Sequence, residues 1–305
     1  MNTLLERYER LGETFSPEDI VLKPALRVNT LRTSSTELYK KLSLKGVKLE
    51  PISFLSDAFF YEAPFSLAST IEYLSGLFYL QEAASQIPAR VLLEDIAVTD
   101  SQTAEKPLTI LDMCAAPGSK TTQLAELTYD KAVIAALDNN MPRIDALKSN
   151  IERLGIASVA VFKKDARYAD DLELQFDYVL LDAPCSGNFC VETNFFKERA
   201  PQQFKERANL QKDLLKAAYR VLNKGGHVVY STCSLEPEED EMVIDWFLKK
   251  YSDMSLEPIP VEIGDAGLTT VFNQELSKDM HLTKRFWPHK TGVQGFFIAK
   301  LKKSL

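Results

Sequence analysis

At 305 residues the chain has room for a large core and for two domains, or one domain with an appendage. Hydrophobic residues make up 45% and charged residues 26%, ordinary for a globular protein, and no apolar run approaches the ~20 residues of a membrane span. Four cysteines are too few for a disulfide framework and the polar stretch Met1 to Glu13 has no secretory core, so the cytoplasm is the expected compartment and a monomer the expected state.

Residues 1–75 read as a small α+β module, and residues 76–305 as a second, larger unit. In the module, Pro24 to Leu31 has strand character. Ser34 to Leu44 reads as a capped amphipathic helix, Val47 to Ile52 as a second strand, and Ala58 to Tyr61 as a third. The stretch Asp95 to Pro107 is polar and reads as a linker. From Leu108 onward strands and helices alternate. Strands are expected at Leu108 to Met113, Ala132 to Leu137, Val159 to Phe162, Phe176 to Leu181, Gly226 to Tyr230 and Val293 to Leu301. Helices are expected at Ser119 to Leu127, Pro142 to Leu154 with Gly155 as its stop, Gln203 to Leu222, and Met242 to Leu248. The last is entered through the acidic run Glu236 to Glu241, where acids favour the helix dipole. Strand–helix alternation predicts a parallel, doubly wound α/β sheet.

The net charge of −7 hides an uneven distribution. Residues 278–305 carry a net +6 and residues 194–224 a net +5, leaving −18 elsewhere. Local basic segments can engage phosphates on an acidic protein, although solvated helix and tail faces account for them equally well.

Three loops at predicted strand ends carry chemistry. Asp112-Met113-Cys114-Ala115-Ala116-Pro117-Gly118-Ser119-Lys120 makes a tight turn between a strand and a helix, with Asp138 ending the next strand. A carboxylate there suits a ribose diol. The turn lacks the three glycines of a dinucleotide site and the spacing of a P-loop. A small-residue turn followed by Asp138 and Asp165 instead fits a nucleoside with an amino-acid tail, S-adenosylmethionine. The other two loops, Asp182-Ala183-Pro184-Cys185-Ser186-Gly187 and Ser231-Thr232-Cys233-Ser234, each place a thiol at a strand end. A thiolate that adds to C6 of a pyrimidine activates C5 for methylation, a covalent route to an otherwise difficult transfer. The residues alone do not say which thiol attacks. Cys114 and Cys190 read as small buried hydrophobes, and no common zinc spacing is present, so no metal is expected.

Taken together, CAAPGSK (114–120), DAPCSG (182–187) and STCS (231–234) resemble the RNA 5-methylcytosine methyltransferases of the NOL/NOP/Sun family. RVNTL (27–31), YLQEAAS (79–85) and RFWPHKTGVQGFF (285–297) are similar to further landmarks of that family. The resemblance implies a Rossmann-like, doubly wound S-adenosylmethionine-dependent methyltransferase fold with an N-terminal RNA-binding α+β module. It implies Cys233 as nucleophile and Cys185 as the thiol that assists release. Cys114 to Lys120 would hold the methionine end of the cofactor, Asp138 the ribose and Asp165 the adenine. Arg143 would lie close by, and Asp182 would contact cofactor or cytosine. After the Pro-Cys motif, Asn188-Phe189-Cys190-Val191-Glu192 is closer to archaeal transfer-RNA enzymes than to arginine-rich bacterial members, which favours transfer RNA over ribosomal RNA. The rival from another class is a non-catalytic RNA-binding assembly factor, which intact thiols and an intact cofactor loop count against.

Overall fold

The structure is a computed structural model that describes residues 3–95, 107–190 and 195–305. Most of the linker expected at Asp95 to Pro107 lies outside the described residues, as do Val191 and Glu192.

The N-terminal sheet has the order β2-β3-β1-β4, all antiparallel, from β1 (Ala25–Val28), β2 (Lys48–Pro51), β3 (Ala58–Glu62) and β4 (Phe78–Leu80). Its fourth strand begins just past the expected module boundary at residue 75. The helix Ser35–Ser43 is capped by Ser34, whose side chain accepts from the Glu37 N–H. All four residues of β1 are buried, because the period-two alternation of a strand feeds two different cores. Leu26 and Val28 pack with Leu38 and Leu42 of the module helix, whereas Ala25 joins Ile87 and Ala89 in the larger unit's core.

The main sheet runs β7-β6-β5-β8-β9 in parallel, from β5 (Thr109–Asp112), β6 (Val133–Asp138), β7 (Val159–Lys163), β8 (Phe176–Asp182) and β9 (Leu222–Thr232). Beyond β9 the sheet turns antiparallel. β10 (Met254–Glu257), β11 (Asp265–Ala266), the small hairpin β12 (Thr270–Val271) and β13 (Gln274–Glu275), and β14 (Lys284–Phe286) precede the last strand, β15 (Phe296–Lys303). β15 pairs with β9, and its outer edge is shared by β14 and β10. The expected parallel sheet is therefore mixed. Apolar residues fill both faces: Ile110 lies in one core and its neighbour Leu111 in the other. The strand order reverses between β5 and β8, and ligands of open α/β sheets collect at such a switch point.

Helices cover the faces at Ser119–Leu127, Met141–Leu154, Pro201–Val221 and Glu241–Lys250. Gly155 caps the second of these in the left-handed region, as its place in the sequence predicts. Among the described residues no helix is long and apolar enough to cross a membrane.

Candidate active site

The three loops converge at the carboxyl ends of β5, β6, β8 and β9. Gly118 turns the chain from β5 into its helix with φ +103°, and a Cβ there would lie 2.8 Å from Leu147 Cδ1, so both backbone and packing require glycine. A cavity of about 640 Å³ opens in front of this turn. Cys114, Ala116, Asp138, Arg143, Asp165 and Asp182 line it, and both Cys185 and Cys233 reach it.

Asp138 is held in place rather than merely present. Its carboxylate accepts from the Asn140 N–H at 2.9 Å and the Ala116 N–H at 3.3 Å, with the Arg143 guanidinium 3.5 Å away. Asp165 caps the turn that follows it and pairs with Arg167 at 2.6 Å, which holds its carboxyl below the usual range. Of the remaining loop residues, Ala115 donates its N–H to Leu137 and Pro117 accepts from Asn150 through its carbonyl. The Ser119 carbonyl accepts from Arg27 at 2.7 Å. These residues shape the turn from behind the lining. The cavity is large enough for a nucleoside with an amino-acid tail, and the anchored strand-end carboxylate suits its ribose, so the residues fit S-adenosylmethionine.

Lys120 faces another way. Its ammonium donates to Asp182 at 2.6 Å, and both line a second cavity of about 330 Å³ with Ser85, Gln294, Phe296, Gly187 and Cys233. The other oxygen of Asp182 accepts from Ser231 at 2.7 Å. The two cavities meet at Asp182, Gly187 and Cys233.

The thiols are neighbours. Cys185 Sγ and Cys233 Sγ stand 3.1 Å apart, brought together because Asp182 pairs with Ser231 across adjacent strand ends. The hydrogen bond to Cys233, with burial, pushes the Cys185 thiol well above its ordinary range. Cys114 is also pushed well up, by burial and by Asp112, and burial raises Cys190 to about 11. Both stand apart from the Cys185–Cys233 contact.

The remaining motifs join this site to its scaffold. Arg27 of RVNTL is buried, with Glu126 at 3.0 Å, Thr122 at 3.0 Å and Gln81 of YLQEAAS as further partners. It fastens the N-terminal sheet to the helix that starts at Ser119. Glu82 accepts from the Gln294 N–H at 2.9 Å, which ties YLQEAAS to the tail motif beside the second cavity. Arg285 of the tail is fully buried against Asp240 at 3.1 Å and against Glu241. The acidic run leads into the helix Glu241–Lys250 as expected, and Glu236, Glu239, Asp240 and Glu241 are all buried. Several of the tail's basic groups are likewise paired within the fold. Lys300 pairs with Glu94 and Asp95, and Lys290 with Glu13 and Asp265. In the other basic segment Arg207 lines the larger cavity.

Comparison with known proteins decides the family. Residues 99–302 match the model of the 16S rRNA methyltransferase RsmB/F family, and residues 2–83 match the N-terminal domain of 16S rRNA methyltransferase RsmF. The chain belongs to the RsmB/F methyltransferase family. It is 36% identical over 95% of its length to the 25S rRNA (cytosine-C(5))-methyltransferase nop2 of Schizosaccharomyces pombe, covering 48% of that protein. It is 36% identical over 99% of its length to ribosomal RNA small subunit methyltransferase F of Escherichia coli, covering 62%. The chain thus spans about half to three-fifths of these relatives. A methyltransferase homolog from Pyrococcus horikoshii superposes with TM-score 0.82 at 35% identity, covering 99% of both chains. NSun6 from the same organism, solved with SFG, superposes with TM-score 0.82 at 26% identity, covering 100% of this chain and 97% of that one. The RsmB/F fold and its S-adenosylmethionine dependence accord with the expectation from the three thiol and cofactor loops.

Proposed function

We propose that the chain methylates C5 of a cytosine in RNA, with Cys233 as nucleophile and Cys185 assisting release. The observation that carries this is the meeting of two cavities at Cys233 and Asp182, one sized for the cofactor and one for a single base. Asp138 and Asp165 would hold the ribose and adenine of S-adenosylmethionine, whose sulfonium supplies the methyl group. A target base in the smaller cavity meets the Lys120 ammonium and the Asp182 carboxylate, a donor and an acceptor for its polar edge. The Cys233 thiolate adds to C6, which makes C5 the nucleophile. Release then requires that the C5 proton leave and the C6–S bond break, and Cys185 stands close enough to serve that step. A cavity of this size admits one base, so the cytosine has to leave its stack.

The sequence reading favours transfer RNA, while the relatives at about 36% identity are named for ribosomal RNA. We take ribosomal RNA as the first substrate class to test and transfer RNA as the second. The experiment is methyl transfer from labelled S-adenosylmethionine to both RNA classes by wild type, Cys233→Ala and Cys185→Ala. Wild type labels cytosine at C5 and Cys233→Ala does not; Cys185→Ala accumulates a protein–RNA adduct that survives denaturing gels. Activity retained by Cys233→Ala reverses the thiol assignment. Cofactor binding without labelling of any RNA points instead to an assembly factor.

A further inference from the structure

Cys185 and Cys233 sit on separate loops, yet a single buried carboxylate holds the residue that follows each of them. Glu239 accepts from the Ser186 N–H at 2.9 Å and from the Ser186 hydroxyl. It also accepts from the Ser234 hydroxyl at 3.2 Å and from the Gln211 amide at 2.9 Å. The two serine hydroxyls are themselves 3.4 Å apart, and Gln211 also donates to the Pro184 carbonyl at 3.2 Å. Ser186, Ser234, Gln211 and Glu239 are all buried. Each partner donates to the carboxylate, an acceptor-only group when ionised, so these hydrogen bonds favour the anion, while burial pushes the carboxyl above its ordinary range.

We propose that Glu239 is a positioning residue that fixes the spacing and proton sharing of the two thiols by clamping the serine beyond each. Its catalytic meaning rests on the two-thiol reading above; its geometric meaning does not. Glu239 touches neither cavity and acts through Ser186 and Ser234. Its charge also adds to the influences that hold Cys185 up, after the Cys233 hydrogen bond and burial. A glutamine of the same shape would turn N–H groups toward donors and lose the clamp.

The test reads the thiols directly, on the full chain. Phenylarsine oxide condenses with two adjacent thiols, forming two As–S bonds and releasing water, and peptide mapping locates the bridge. Wild type forms the Cys185–Cys233 bridge rapidly. Glu239→Gln forms it about tenfold more slowly or worse, the order expected for a lost charged hydrogen bond. It should still bind S-adenosylmethionine as wild type does. Alkylation of Cys185 by iodoacetamide begins at lower pH in Glu239→Gln than in wild type, and unchanged S-adenosylmethionine binding separates this from general loosening. Ser234→Ala slows bridging partly, and adding it to Glu239→Gln slows bridging no further. A wild-type bridging rate in folded Glu239→Gln overturns the proposal. Should that variant lose cofactor binding, a wild-type rate in Ser186→Ala and Ser234→Ala overturns it equally. If wild type bridges readily but methylates no RNA, the proposed function fails and the clamp stands.

Discussion

Two sets of carboxylates surround the thiols, and they differ in what faces them. Asp138 and Asp182 end their strands and Asp165 lies two residues beyond β7, and each combines a fixed partner with an open side toward a cavity. Glu236, Glu239, Asp240 and Glu241 follow Cys233 in sequence, and each is enclosed by donors. The first set is anchored but available; the second is consumed in holding loops. Residue type does not separate the two sets. The open side does.

The largest expected effect breaks the enclosed set. Arg285→Met leaves Asp240 and Glu241 buried without their cation, and unfolding in urea should report a loss of about 3–5 kcal/mol. An unchanged midpoint would mean that the acids do not depend on this guanidinium.

A smaller effect comes from Asp112, which is enclosed like the second set yet adjoins the cofactor turn. Burial raises its carboxyl from 3.8 to about 6, against the Thr121 hydroxyl donated at 2.7 Å. A folded-state value above the unfolded one contributes stability in full below the unfolded value. That contribution is lost as pH rises through about 6, on the order of 3 kcal/mol in all. Asp112→Asn keeps the acceptor and removes the titration. Its stability relative to wild type should therefore climb between about pH 4 and pH 7. A parallel pair of pH profiles would contradict this.

The smallest effect isolates the available set. Asp138→Asn should weaken S-adenosylmethionine binding by about tenfold, roughly 1.4 kcal/mol, with little change in the unfolding midpoint. Calorimetric titration checks the first and thermal melting the second. A large stability loss would move Asp138 into the enclosed class.

Much of this site is legible in the sequence because strand ends announce themselves. Apolar runs that stop at Asp138, Asp182 and Thr232 place the cofactor loop and both thiol loops in one row. What is not legible is long-range pairing. β14 reads as Lys-Arg-Phe, which has no strand signature, because Arg285 is buried by acids more than 40 residues upstream. The acidic run reads as a helix entry for the same reason: its partners Arg7, Tyr8 and Arg285 come from the two ends of the chain. Lys120 is placed in the right loop by its spacing, but only coordinates show that it leans toward Asp182 and the smaller cavity.

Arg27 gives the two sheets a common fate. Its guanidinium leaves the N-terminal sheet and ends among Glu126, Thr122 and the Ser119 carbonyl at the head of the cofactor helix. Parting the sheets would strand a buried cation on one side and a buried anion on the other, so neither can open while its neighbour stays closed. The N-terminal and main sheets are therefore expected to unfold together, in one calorimetric transition.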